Sequence, residues 1–210
     1  MGLRLRYYLF YGVASGDVGG ALQAFYAVRG RPLQKTLAGT VPSDLSLYIY
    51  TADNNWVVVE LDSGWEWKER REAQLFVSER LYCPSLLIFV YDGDYWGYEF
   101  LDQGKVLDHF VQQQDQADQW FPGQDCSGKP EVLVQHLPFL NFSVIAPYLK
   151  QKPSYGNPPE LKGKVHPHDE FDRFDECAVL DFLRALGVRV ELQDGYVTLN
   201  SSLDFSLEKA

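Results

Sequence analysis

The stretch Ser85–Val111, SLLIFVYDGDYWGYEFLDQGKVLDHFV, decides the fold class. Its first part, Ser85–Tyr91, is too uniformly apolar for a solvated face and is predicted to be a buried strand. Two aromatic segments follow, Tyr95–Leu101 and Lys105–Val111. The residues between them, Asp102-Gln103-Gly104, have the composition of a hairpin turn. The stretch therefore predicts three consecutive strands joined by tight turns.

Upstream of this stretch, helical and strand periodicities alternate along the chain. Val18, Leu22, Phe25 and Tyr26 recur at helical spacing after Asp17, a residue type that caps helices. The charged residues 68–72 at the start of another amphipathic segment are predicted to face water. The predicted elements are a strand Leu3–Phe10, a helix Asp17–Arg29, a hairpin of Leu45–Thr51 and Trp56–Leu61 around Asp53-Asn54-Asn55, and a helix Trp67–Tyr82.

Downstream, residues 131–140 are predicted to be helical. Residues 150–168 are rich in proline and glycine and poor in apolar side chains, which is typical of a linker. Asp169 is predicted to cap an amphipathic helix that ends near Leu186, before Gly187. Residues 188–193 and 196–200 flank Asp194-Gly195, a strong hairpin signal.

These elements predict an α+β protein. The sheet is expected to be mainly antiparallel but mixed, with helices packed on one face and one parallel crossover through helix 67–82, plus a C-terminal helix–hairpin unit. The predicted organisation is a main α+β domain over residues 1–149, a Pro/Gly-rich linker over 150–168, and a C-terminal helix and hairpin over 169–210 that packs on the main domain.

The charge balance is acidic. The 210 residues contain 29 Asp and Glu against 19 Lys and Arg, a net charge of −10. Nucleic-acid binding requires clustered basic residues, so this composition speaks against it. If the chain has a protein partner, the excess of acids favours one with a basic surface. No apolar run approaches the roughly 18 residues of a membrane-spanning helix, and no membrane association is expected.

The three cysteines, Cys83, Cys126 and Cys177, are an odd number and widely spaced. They form neither a disulfide framework nor a zinc-binding pattern. The N-terminal residues also lack the separate apolar region and cleavage site of a signal peptide. A cytoplasmic location is therefore the expectation from the sequence.

Three short motifs resemble ligand sites but are better explained as turns or linker ends. Gly123, Gly128 and Lys129 match a phosphate-binding loop until Pro130, which lacks the required hydroxyl group. The cluster from His166 to Glu170 lacks further ligands at metal-like spacing. Asp92-Gly93-Asp94 lacks the remaining ligands of a calcium loop and is predicted to be a turn. No cofactor and no metal are expected.

The turn before Lys105 leaves two registers open. A two-residue turn at Gln103-Gly104 places Glu99 opposite Asp108, and a buried pair of this kind could act in acid/base chemistry. A three-residue turn with Gly104 as a bulge places Glu99 opposite Leu107 and creates no carboxylate pair. In this second register, Trp96, Tyr98 and Phe100 lie opposite Phe110, Asp108 and Val106, respectively.

Aromatic residues make up 15% of the chain and are concentrated around position 96. Neighbouring strand residues alternate between the two faces of a sheet, so these rings cannot all enter one core. We expect some of them to be partly exposed and to anchor a protein partner together with nearby acidic groups. The predicted partner-binding residues are Asp92, Asp94, Tyr95, Trp96, Tyr98, Glu99 and Asp108.

The absence of a recognisable catalytic motif in the sequence favours a non-enzymatic interaction module, such as an inhibitor-like or immunity-like binder of a basic protein. The alternative is an enzyme or small-ligand binder that uses the carboxylates and aromatic residues of the 92–109 region. Self-association into a homodimer through the aromatic hairpin is a third hypothesis.

Overall fold

The computed structural model describes residues 5–36, 46–61, 66–153, 161–193, 196–199 and 202–209. The predicted Asp194-Gly195 turn and Leu3 of the predicted first strand lie outside these residues. The strands are β1 (Arg6–Tyr11), β2 (Leu33–Thr36), β3 (Ser46–Thr51), β4 (Trp56–Leu61), β5 (Pro84–Tyr91), β6 (Tyr95–Asp102), β7 (Lys105–Val111), β8 (Val190–Gln193), β9 (Tyr196–Leu199) and β10 (Ser202–Lys209). The α-helices are α1 (Ser15–Ala27), α2 (Trp67–Leu81), α3 (Ala117–Trp120), α4 (Pro130–His136), α5 (Phe142–Ile145) and α6 (Ala178–Ala185).

Eight strands form one large antiparallel sheet in the order β2-β10-β3-β4-β1-β5-β6-β7, and β8 and β9 form a separate hairpin. This confirms the predicted α+β class. Helix α2 connects β4 to β5, and β1 lies between these two strands in the sheet. The crossover helix therefore passes over one strand rather than joining neighbours.

The contacts divide the chain into two units that interleave along the sequence. The two-helix unit comprises Arg6–Leu87, Leu101–Val106 and Asn200–Ala210, and the hairpin unit comprises Met1–Leu5, Ile88–Phe100 and Leu107–Leu199. The boundaries at residues 149 and 168 suggested by the sequence stay a prediction. Each unit is described by itself below.

In the two-helix unit, α1 and α2 pack on alternate residues of the strands. Val18, Leu22, Phe25 and Tyr26 of α1 are buried, as the sequence predicts. Their partners include Tyr8, Phe10, Ile49, Val57, Val59, Phe205 and Leu207. Because the period of two in the strands places these residues on one face, both helices can cover a single apolar surface.

Two predictions about these helices are wrong. The residue at the N-cap of α1 is Ala14, and Asp17 lies within the first helical turn, where its charge still favours the helix dipole. Arg70, predicted to face water, is only 2% exposed and lies where α2 contacts β1, since the Tyr8 hydroxyl donates to its carbonyl oxygen at 2.9 Å. Burial, followed by the charge of Arg6, lowers the pKa of Arg70 to about 10.

Strand β10 is absent from the predicted elements, although it lies within the sheet between β2 and β3. Ser206 pairs with Thr36 on one side and with Tyr48 on the other. The Thr36 and Ser206 hydroxyl groups are 2.7 Å apart. Apolar residues at 203, 205 and 207 alternate with polar ones, so the period-two signal was present in the sequence.

Two neighbouring glycines in α1 are expected to respond oppositely to alanine. A Cβ at Gly19 would lie 2.6 Å from the ring of Phe205, whereas a Cβ at Gly20 would meet no atom within 4 Å. Gly20→Ala should raise the free energy of unfolding by roughly 0.5–1 kcal/mol because alanine favours the helix. Gly19→Ala should lower it by about 1–3 kcal/mol through overpacking. Urea unfolding of both variants checks this, and equal shifts would contradict it.

In the hairpin unit, α4 and α6 are shorter than predicted. Helix α4 ends at His136 rather than near Leu140, and Pro138 disfavours continuation of the helix through Leu137. Helix α6 begins at Ala178. The prediction that residues 169–177 are helical is therefore wrong.

Tertiary hydrogen bonds explain why the helix does not extend back to Asp169. The Asp181 carboxylate, inside α6, accepts from the backbone N–H groups of Glu170 and Phe171. Asp169 does not cap a helix but accepts from the Tyr148 hydroxyl and the His166 N–H, both at 2.8 Å. These bonds hold residues 169–171 in a non-helical conformation before the start of α6.

Candidate functional site

The turn between β5 and β6 presents two of the predicted site residues to solvent. Asp92 and Gly93 both have positive φ values, 49° and 78°, and the Asp94 N–H donates to the Tyr91 carbonyl at 2.9 Å. This is a type I′ hairpin turn, for which Asp-Gly is a preferred sequence. The predicted turn is confirmed, and Asp92 and Asp94 are exposed.

Trp96 and Tyr98, by contrast, are buried, and their predicted exposure is wrong. Trp96 is 1% exposed and Tyr98 is fully buried. Their rings pack on Phe110 of β7 and on Phe182 of α6, where Tyr98 and Phe182 stack with an interplanar angle of 4°. Sequence reasoning missed this because nothing in the local pattern shows that α6 covers this face of β6.

A hydrogen-bonded carboxylate lies beside this ring cluster. One Asp108 oxygen accepts from the Tyr98 hydroxyl and from the Lys129 N–H, both at 2.7 Å. Burial raises the pKa of Asp108, and the hydrogen bonds from Lys129 and Tyr98 act in the opposite direction. Asp108 thus connects β7 to the start of α4 and is not a surface group.

Glu99 lies on the opposite face of β6 from Tyr98. Its carboxylate is 2.9 Å from Nε2 of His109, and both side chains are buried. The His109 ring also packs on Phe121, with 4.2 Å between the ring centres. The hydrogen bond between these two buried side chains connects β6 to β7.

The carboxylate pair of Glu99 with Asp108, allowed by one of the two registers, is therefore not formed. Gln103 and Gly104 have positive φ values, as that two-residue turn requires. Further along the hairpin, the Gln112 N–H donates to the Trp96 carbonyl at 2.9 Å and Glu99 contacts His109, so the pairing there is that of neither predicted register. Asp108 is hydrogen bonded to Tyr98 instead, and the acid/base pair does not arise.

Tyr95 belongs to a second ring cluster, which reaches the surface. Its hydroxyl accepts from Nε1 of Trp120 at 2.9 Å. Tyr91 contacts both rings, at 5.5 Å from each, and is 38% exposed. Tyr95 itself is buried and Trp120 is half-buried. Tyr91 and Trp120 are therefore the aromatic residues of this region that a partner could touch.

The surface around this cluster is acidic. Residues 91–128 contain eight Asp and Glu, of which Glu99 and Asp108 are buried, and a single Lys or Arg, Lys105. Besides Asp92 and Asp94, the exposed carboxylates include Asp115 and Asp118, which lie just before Trp120 on a short 3₁₀ turn and on α3. We call the group formed by Tyr91, Asp92, Asp94, Asp115, Asp118 and Trp120 the acidic aromatic surface.

Asp115, Asp118 and Trp120 were not among the predicted site residues. The segment QQQDQADQWF, residues 112–121, offered a signal: acids and a tryptophan within one or two helical turns in an otherwise uncharged, glutamine-rich stretch. What the sequence could not show is that Trp120 stacks on Phe89, at 4.3 Å between ring centres, which brings this segment beside Tyr91.

The motifs that resemble ligand sites are used within the fold. The N–H groups of Gly128 and Lys129 donate to His109 and Asp108, and Pro130 opens α4. His166 and His168 stack on each other, and Nε2 of His166 is 2.9 Å from the Val144 carbonyl oxygen. Within the described ranges, no cluster of three His, Cys, Asp or Glu side chains could hold a metal ion.

The burial of Asp108 gives a pH-dependent prediction. Because the folded-state pKa is raised, the folded protein holds its proton to higher pH than the unfolded chain, and this group's contribution to stability falls as pH rises above its ordinary value of 3.8. Asp108→Asn keeps an oxygen for Tyr98 and Lys129 but cannot ionise. Its stability relative to wild type should therefore increase between about pH 4 and pH 7, as measured by urea unfolding.

Asp125→Asn provides the control of opposite sign. Hydrogen bonds from the Ser127 side chain and backbone, followed by Lys129, lower the pKa of Asp125. This carboxylate therefore favours folding above its unfolded pKa, and the variant should lose stability relative to wild type as pH rises. Parallel pH profiles for the two variants would show that at least one of the two assignments is wrong.

Comparison with protein-family models, with curated proteins and with solved structures gives no match for this chain. Over the ranges that the structure describes, none of the helices has the length and apolar character needed to span a membrane.

Proposed function

We propose that this chain is a non-enzymatic protein-interaction module that binds a partner with a basic surface. The binding face is the acidic aromatic surface of the hairpin unit. Of the residues expected from the sequence, Asp92 and Asp94 belong to this surface and Tyr95 holds Trp120 beneath it, whereas Trp96, Tyr98, Glu99 and Asp108 are buried. An inhibitor of a cationic enzyme is one form that such a module can take.

The observation that carries the proposal is that partly exposed aromatic rings are surrounded by negatively charged side chains. Tyr91 is 38% exposed and contacts the half-buried Trp120. Asp92 and Asp94 lie in the turn that follows Tyr91, and Asp115 and Asp118 precede Trp120. Exposed Tyr and Trp are frequent anchors in interfaces, and surrounding charges of one sign accelerate association with an oppositely charged protein.

The alternative function, an enzyme that uses the carboxylates of the 92–109 region, has less support. Glu99 and Asp108 are buried on different faces of the hairpin, and each is hydrogen bonded within the fold, to His109 and to Tyr98. A general acid or base must reach the proton of a bound substrate. These two side chains instead connect strands.

The test is capture of a basic protein from the native cell by wild type and by the double variant Asp92→Asn, Asp94→Asn. Asparagine tolerates the positive φ of position 92, so the turn should be retained. We expect capture that weakens above about 0.15 M salt, where the Debye length falls below roughly 8 Å, and at least a tenfold loss of affinity for the double variant.

The matched control is Glu79→Gln, Glu131→Gln, which removes the same number of charges from exposed positions outside the surface. It should bind the captured protein as wild type does. Equal loss for both double variants would mean that net charge alone governs binding, and unchanged capture by the Asp92, Asp94 variant would remove this surface from the proposal. Sedimentation of the chain alone separates partner binding from self-association.

A further inference from the structure

The acidic aromatic surface contains two rings that meet at a steep angle. The ring centres of Tyr91 and Trp120 are 5.5 Å apart, with 76° between the planes. Tyr91 also lies 5.5 Å from Tyr95 at a shallower angle of 32°. A flat group that approaches from solvent can therefore lie along one ring and touch the edge of the other.

The Trp120 ring is held in a fixed orientation. Its Nε1 donates to the Tyr95 hydroxyl at 2.9 Å, and its ring centre lies 4.3 Å from that of Phe89, with 31° between the two planes. Both supporting residues are buried, at 3% and 1% exposure. A ring that is oriented before binding loses little conformational entropy when a partner contacts it.

Two carboxylates belong to the segments that carry these rings: the Asp94 N–H donates to the Tyr91 carbonyl at 2.9 Å, and Asp115 lies on the 3₁₀ turn that precedes α3 and Trp120. Burial is the main cause that raises the pKa of Tyr95, and the negative charges of Asp94 and Asp115 contribute in the same direction after Tyr91. Both carboxylates are exposed. A cation that rests on the rings is therefore within electrostatic reach of two anionic groups from different segments.

Resting on the function proposed above, we infer that the partner inserts an arginine side chain at Tyr91 and Trp120, with its guanidinium group over a ring and its N–H groups directed at Asp94 or Asp115. Arginine suits this site because its planar cation stacks on an aromatic face while its in-plane donors bind a carboxylate. A lysine ammonium is a compact, strongly hydrated charge and cannot make both contacts in this way.

The experiment compares two blocked peptides of equal charge, one with two arginines and one with two lysines spaced by glycine. Binding is followed by NMR through the indole N–H signal of Trp120, which is assigned by its disappearance in Trp120→Phe. We expect the arginine peptide to shift this signal and to bind at least fivefold more tightly than the lysine peptide. Tyr91→Leu, which keeps apolar area but removes the ring, should abolish the preference while leaving salt-dependent binding.

The outcomes separate this inference from the proposed function. Equal affinities of the two peptides, with salt-sensitive binding at this surface, would overturn the arginine assignment and leave the acidic module intact. Binding of neither peptide would overturn both. A preference for arginine that survives Tyr91→Leu, or that leaves the Trp120 signal unmoved, would show that arginine binds elsewhere.

Discussion

Replacing Trp96 by alanine is expected to lower the free energy of unfolding by about 3–5 kcal/mol, because it removes a large, fully buried ring from a packed core. The indole contacts Phe110 and Phe182, and α6 depends on these contacts to cover β6. Urea unfolding, monitored by circular dichroism, measures the loss of stability. Tyr91→Ala, which truncates an exposed ring five residues away, should cost less than about 1 kcal/mol.

This contrast decides how binding variants should be chosen. A variant at Trp96 or Tyr98 that loses a partner would do so because the hairpin unit is destabilised, whereas a variant at Tyr91 tests the surface itself. If Trp96→Ala proved as stable as wild type, the packing described for Phe182 would be wrong, and Trp96 would return as a candidate binding residue.

The second large effect is expected at the buried Glu99–His109 pair. His109→Phe keeps a ring against Phe121 but removes the nitrogen that lies 2.9 Å from the Glu99 carboxylate. Removing the His109 hydrogen bond from a buried carboxyl group costs about 1–3 kcal/mol, because the lost partner is not replaced by water. The measurement is again the free energy of unfolding in urea at neutral pH.

A double variant provides the control. Glu99→Leu together with His109→Phe replaces the pair by apolar groups, and such replacements are often close to neutral. We therefore expect the double variant to be more stable than His109→Phe alone. If the double variant instead lost the sum of both single effects, Glu99 and His109 would act independently and the hydrogen bond would carry no coupling energy.

Local patterns predicted much of the fold. The hairpin of β3 and β4, the helix face of Val18, Leu22, Phe25 and Tyr26, and the Asp92-Gly93 turn all depend on residues close in sequence. Periodicity and turn chemistry suffice for such elements. The same reasoning failed for residues 169–177, because Asp181, several residues further on, accepts the N–H groups of Glu170 and Phe171.

The candidate site was predicted less well, for a related physical reason. The sequence identified an aromatic and acidic region near position 96 but could not say which face of β6 is covered. Phe182 and Phe110 cover Trp96 and Tyr98 on one face, and Phe121 covers His109 on the other. The exposure of each ring depends on elements distant in sequence. Tyr91, the ring of this region that stays exposed, lies at the end of β5.

The position of β10 bears on how the chain acquires its structure during synthesis. Ser206 pairs with Thr36 and Tyr48, so two ladders of the large sheet close only when residues separated by more than 150 positions meet. Such long-range pairing slows folding. On the ribosome, β3 and its hairpin partner β4 would emerge long before β10, which pairs with the other edge of β3. An unpaired strand edge of this kind in a nascent chain is a recognised site of misassembly, and chaperone binding to β3 during translation is the expected consequence.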